Sequence, residues 1–210
     1  MILIHASPFK IKKLKYVSQY DCKSSMAGIK PCGLWFSPGK DWLRWCKEEL
    51  PEHCKTYKFF YVVVPKYTTI KKPNQNKVLK IQNEKEFDEF NFKYGYITMD
   101  KNYFEISSIY IKWNDVEKNF GGIEIIPFIK NRNSLQLNSD ANNKELREKY
   151  EKNGFVFGSS NSSGFWYSFF DVASGCIWNP QAIKKFYQIK KEFKVHDGKN
   201  KKELVLVKMK

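Results

Sequence analysis

A chain of 210 residues, 42% hydrophobic and 17% aromatic, has enough apolar material to bury a core, which excludes disorder over its whole length. Its formal net charge of +15 fits a polyanionic partner such as nucleic acid, an anionic membrane surface, an acidic protein face or a phosphate-bearing ligand, although lysine used for solubility gives the same charge. Arginine is confined to Arg44, Arg132 and Arg147, so the charge argues for an adhesive surface rather than for readout of bases.

In chain order, Met1 to Ile4 reads as a short strand that delivers His5 at its end, followed by a basic stretch from Lys10 to Lys15. Gly33 and Pro38-Gly39 bracket the apolar run Leu34-Trp35-Phe36-Ser37, the pattern of a buried strand with a turn at each end. Asp41 is placed to cap a helix from Trp42 to Leu50, which Pro51 ends, with Trp42, Trp45 and Cys46 on its inner stripe. Lys58 to Val64 is the strongest strand, closed by Pro65, and a lysine-rich loop through Lys77 leads to a short strand, Val78–Ile81. Asn83 and Glu86 form a capping box for a helix whose inner face is Phe87, Phe90 and Tyr94.

Asn114 to Phe120 reads as one or two helical turns, stopped by Gly121-Gly122 before a strand, Ile123–Ile126, closed by Pro127. Asn131 to Asn143 reads as polar and mobile; Glu145 to Lys152 is expected to be helical, with Tyr150 inward and Gly154 as its cap. A Gly/Ser/Asn loop, 158–164, precedes an expected aromatic strand, Phe165–Phe170, a turn at Asp171–Gly175 and a core strand at Cys176–Trp178. From about residue 184 the chain is lysine-rich, with one further strand candidate at Leu204–Val207. No internal repeat and no linker is evident, so a single α+β domain spanning 1–210 is expected.

Five cysteines, Cys22, Cys32, Cys46, Cys54 and Cys176, lie at irregular spacings, which suits a reducing compartment and argues against a disulfide framework. Three histidines, His5, His53 and His196, do not combine with them into a zinc pattern, so no metal is expected. No run approaches the roughly 18 apolar residues of a membrane span, and the start of the chain does not have the form of a secretory signal. A cytoplasmic protein, or one delivered into or made in the cytoplasm of a host cell, is the expectation.

Ile4-His5-Ala6-Ser7 and Gly33-Leu34-Trp35-Phe36-Ser37, in that order and followed by a late strand with an isolated carboxylate, resemble the ADP-ribosyltransferase superfamily, in the branch related to diphtheria toxin and the poly(ADP-ribose) polymerases. Ile177-Trp178-Asn179-Pro180-Gln181-Ala182-Ile183-Lys184 also looks like the Val-Phe-Asn-Pro-x-Gln-Ile-Lys ending of many small bacterial members. Ordered matches run through most of the chain, but about a dozen residues carry them. Three positions depart from the pattern: Ala6 replaces a glycine, Trp35 stands where tyrosine is usual, and Ser174 falls where the small bacterial members carry their glutamate.

The resemblance implies two small, mainly antiparallel sheets across an NAD-binding cleft, with helices around them. It implies transfer of ADP-ribose from NAD, as substrate, to a macromolecular acceptor with release of nicotinamide, as in a toxin or effector. The acceptor would be nucleic acid or an acidic protein face. His5, Ala6, Ser7, Gly33, Trp35 and Ser37 would bind NAD, with His5 donating to a ribose hydroxyl and Trp35 stacking on nicotinamide. Cleaving the nicotinamide–ribose bond passes through an oxocarbenium-like centre, which a carboxylate stabilises. Glu124, alone on an apolar strand, is the favoured carboxylate, and Asp171 is its rival; a water-facing Glu124, a turn-forming Asp171 and a core Trp35 are the structural alternatives. Two other functions fit the same composition. One is a non-catalytic nucleic-acid-binding module that uses lysines and the aromatics Tyr103, Phe165 and Trp166. The other is an NAD-dependent RNA 2′-phosphotransferase, for which arginines are scarce.

Overall fold

Short β-branched and aromatic runs supply most of the regular structure, as their fit to a pleated, half-buried surface dictates. The computed structural model describes residues 1–22, 28–99, 107–133, 143–155, 164–196 and 199–209. The first strands are β1 (Leu3–Ser7) and β2 (Leu34–Pro38), followed by helices α1 (Asp41–Glu49) and α2 (Pro51–Cys54). Next come β3 (Phe59–Pro65), β4 (Tyr67–Thr68) and β5 (Asn74–Ile81), then α3 (Glu84–Tyr94) and β6 (Gly95–Met99). The middle of the chain forms β7 (Ser107–Ile111), α4 (Trp113–Glu117), β8 (Phe120–Ile125), α5 (Lys130–Asn133) and α6 (Lys144–Lys152). The last elements are β9 (Gly164–Phe165), a 3₁₀ turn (Trp166–Phe169), β10 (Ser174–Ile177), a second 3₁₀ turn (Pro180–Ala182), β11 (Ile183–His196) and β12 (Lys199–Lys208).

The expectation of two small, mainly antiparallel sheets is corrected. One nine-stranded mixed sheet, in the order β12-β11-β3-β1-β2-β10-β8-β5-β4, dominates the described residues, and a three-stranded sheet, β6-β7-β9, stands beside it. The reason lies at both ends of the order. The Lys-rich segment after residue 183 is a hairpin, β11–β12, that docks on β3, while β4, β5 and β8 run parallel on the other side. The lysine pairs Lys184-Lys185 and Lys190-Lys191 hide such a strand from an apolar count, while Ile183, Phe186 and Ile189 pair with β3.

Each face of the large sheet has its own core. Leu79, Ile81, Ile123 and Ile125 pack with α3, the small sheet and the first 3₁₀ turn through Phe87, Phe90, Ile109, Trp166 and Tyr167. Leu3, Phe36, Val78, Ile177 and Phe186 form the second cluster. The helix after residue 83 starts as its sequence implies: Asn83 Oδ1 accepts from Glu86 N–H at 2.9 Å, and Phe87, Phe90 and Tyr94 are buried. The aromatic stretch after Gly164, expected as one strand, turns after Phe165. The 3₁₀ geometry sends Trp166, Tyr167 and then Phe170 into a single core, which a strand would have split between two faces. Asn131–Asn143 and the Gly/Ser/Asn loop, like Tyr103, fall largely or wholly outside the described residues. No helix among those described is long and apolar enough to cross a membrane.

Candidate functional site

β1 and β2 share two register pairs, Leu3–Pro38 and Ile4–Ser37. Beyond them β1 stays paired with β3 as far as Ser7, while β2 pairs with β10 from Phe36 back to Leu34. The two strands therefore part, and the sheet opens a wedge. His5 is not at a strand end, as its sequence context implies, but within β1, opposite Tyr61. Its Nδ1–H donates across the wedge to the carbonyl of Trp35 at 2.6 Å, a bond that leaves Nε2 of the neutral ring as an acceptor. Burial lowers the His5 pKa against the opposing effect of that hydrogen bond, so the neutral ring is favoured. A ribose hydroxyl would donate to His5 rather than accept from it.

Beside the wedge lies a cavity of about 330 Å³ whose lining includes His5, Ala6, Gly33, Trp35, Ser37, Trp42, Tyr57, Phe170, Asp171 and Ser174, with Lys30 at one side. Five of the six residues expected to bind NAD thus meet in one place. Ser7 does not join them; its hydroxyl donates to the carbonyl of Phe9 at 2.7 Å and it lines a neighbouring cavity of about 360 Å³, which His5 and Gly33 also border. Gly33 has φ +152°, and a Cβ there would stand 2.5 Å from the carbonyl oxygen of Ile177, so β10 can approach β2 only past a glycine. Ser37 Oγ accepts from the N–H of Trp42 at 3.2 Å and so holds the start of α1, a role expected of Asp41. Trp42 and Trp45, which look like core residues from their spacing, stack at 4.9 Å, and Trp42 reaches the cavity wall.

Glu124 is elsewhere. It stands opposite Gly175, which in turn stands opposite Phe36, whereas Ile125 pairs with Ser174 and Ile123 with Cys176 and then Trp35. Directly opposed residues share a face, so Glu124 belongs to the face of Phe36, and Trp35 and Ser174 to the other. His5, in step with Leu3 opposite Pro38, also starts from the Phe36 face and reaches the cavity at the wedge. Its carboxylate is fully buried, accepts from the Tyr67 hydroxyl at 2.5 Å, and leaves Oε1 without a hydrogen-bond partner. Burial raises its pKa, against the Tyr67 bond and the attraction of Lys80. The carboxylate that lines the cavity is that of the rival, Asp171, which is exposed at the rim directly after Phe170.

Lys30, Phe170, Trp42 and Tyr57 were not legible as site residues. Lys30 sits two residues before the Cys32-Gly33 turn, and its Nζ lies 5.8 Å from the Trp35 ring centroid and 5.7 Å from that of Phe170. The two rings meet edge to face at 5.3 Å. Lys30 also borders a larger cavity of about 920 Å³, lined among others by Tyr16, Tyr20, Tyr96, Lys112 and Lys118. The same loop is closed by a Cys22–Cys32 disulfide, Cα atoms 6.0 Å apart, which corrects the expectation of unpaired cysteines; Cys46, Cys54 and Cys176 are free. Gln19 reinforces it by accepting from the N–H of Cys32 and donating to its carbonyl. Among the described residues no three His, Cys, Asp or Glu side chains converge to hold a metal ion.

The late stretch Ile177–Lys184 is structural. Trp178 Nε1–H donates to the carbonyl of Phe120 at 2.7 Å, and Asn179 Oδ1 caps the Pro180–Ala182 turn. No protein-family model matches the chain, and no curated protein or solved structure matches it.

Proposed function

We propose that the protein transfers ADP-ribose from NAD to an anionic macromolecular acceptor, nucleic acid or an acidic protein face, with Asp171 as the catalytic carboxylate. The observation that carries this reading is the meeting of two short segments, His5-Ala6 and Gly33 to Ser37, on one cavity that is also lined by Asp171 and an aromatic wall. Nicotinamide is flat, and the half-buried Trp35 indole with the Phe170 edge offers it a slot. The ribose hydroxyls would donate to Nε2 of His5. As the C1′–N bond breaks, its electron pair leaves with nicotinamide, and the carboxylate of Asp171 opposes the positive charge left on the ribose. An acceptor nucleophile then bonds to C1′ and loses a proton.

Asp171 takes the place that the resemblance reserved for a glutamate at Ser174, three residues later. Ser174 itself is buried on β10 and has no charge to offer. The larger cavity beyond Lys30 has Tyr20, Tyr96 and Lys112 on its wall, and also Asp115, which pairs with Lys118, and Glu117, which accepts from Tyr16. An acceptor would approach the same point past the aromatic rings and Lys112.

Incubation with labelled NAD and a cell extract should label a macromolecule and release nicotinamide. Asp171→Asn should lower nicotinamide release by about 10²-fold, whereas Glu124→Gln should keep it within about threefold, because Glu124 does not line the cavity. Normal turnover in Asp171→Asn, or its loss in Glu124→Gln with an unchanged melt, would overturn the assignment.

A further inference from the structure

We infer that Trp35, Phe170 and Asp171 form a cation cage which the protein's own Lys30 fills when no donor is bound, and which the cationic pyridinium ring of the donor fills in its place. This rests on the reading of the site as an NAD site and adds a specificity residue to it. Both centroid distances from Lys30 Nζ fall within the ≈ 6 Å range over which an ammonium is drawn to an aromatic face. Asp171 supplies the opposing charge: burial lowers the Lys30 pKa, and attraction to Asp171 works against that lowering. Two aromatic rings and a carboxylate around a cation is the arrangement by which proteins recognise quaternary nitrogen.

NAD carries its positive charge on the nicotinamide ring, and the same ring leaves as a neutral molecule. Substrate and product therefore differ in the one property the cage reads. The lysine is an internal competitor that a cationic ring displaces and a neutral ring does not. Once displaced, its ammonium is free to meet an anionic part of the ligand at the junction with the larger cavity, which it also borders. After cleavage the side chain returns to the cage as the neutral nicotinamide departs.

The test compares two probes that share a ring, the N-methylnicotinamide cation and neutral nicotinamide, followed by tryptophan fluorescence in the full chain. Lys30→Met should bind both probes about tenfold more tightly than the unaltered protein, because the resident competitor has gone and both rings need its space, while the cation stays the tighter ligand of the two. A gain for the cation alone would mean lost repulsion and overturn the inference. Lys30→Arg keeps a cation on the stem and should behave like the unaltered protein. The gain should persist in about 1 M salt, where repulsion through solvent is screened within about 3 Å. Unchanged or weaker cation binding in Lys30→Met, or a gain that vanishes in salt, overturns the inference. Nicotinamide release from NAD is measured alongside. Release without a Lys30 effect leaves the proposed function standing and removes the cage; a Lys30 effect without release does the reverse.

Discussion

Glu124 and Asp171 are both carboxylates in opposite surroundings, the one buried in the sheet and the other exposed beside the cavity. Glu124 has lost its water, keeps one hydrogen bond from Tyr67, and is pushed toward the protonated form by burial. Its folded-state pKa lies above the unfolded one, so the folded chain holds this proton more tightly than the unfolded chain does. Stability from this group is full below the unfolded value and is lost as pH rises through the folded one. Glu124→Gln removes that loss. In thermal melts the variant should match or exceed the unaltered protein at neutral pH and lose that advantage near pH 4 (below about 4.3, the ordinary glutamate value); a uniform deficit at every pH would show that packing, not charge, fixes Glu124. His5 slopes the other way, since burial lowers its pKa and its contribution is lost as pH falls through the range in which the unfolded ring takes up a proton.

At the scale of elements, the loop from Cys22 to Cys32 governs the site because it carries Lys30 and delivers Gly33 to β10. A cross-link over a loop of this length contributes on the order of 3 kcal/mol or somewhat less through the unfolded chain. Reduction, or Cys22→Ser with Cys32→Ser, should lower the denaturation midpoint and weaken NAD binding together; NAD affinity that survives while the midpoint falls would mean that Gln19 alone holds the loop in place. Much of this scale was legible beforehand. The capping box at Asn83, the inward Phe87, Phe90 and Tyr94, and the strands around Trp35 and Val62 are local signals, and local signals survive folding. What sequence did not convey depends on pairing at a distance. The face of Glu124 follows from its register with Gly175, and the cysteine pair follows from a fold that returns residue 22 to residue 32. The β11–β12 hairpin was obscured because the lysine pairs Lys184-Lys185 and Lys190-Lys191 interrupt the run of residues that pairs with β3.

On the scale of the whole molecule, the +15 charge predicts that acceptor labelling falls steeply between about 50 and 300 mM salt, as counterions compete with lysines for the acceptor, while nicotinamide release from free NAD changes little. Labelling that is indifferent to salt would mean that the lysines do not attract the acceptor. The sheet order gives those lysines a second consequence. β12 is the outermost strand, it is ten residues long, and it includes Leu204-Val205-Leu206-Val207, with Leu206 exposed. Its outer row of amides and carbonyls has no neighbour among the described strands, which is the surface on which one sheet extends into another. Like charge on neighbouring molecules opposes the joining of two such edges and salt screens that charge, so rising ionic strength would both weaken capture of the acceptor and let the copies approach, and the usable range is bounded from above.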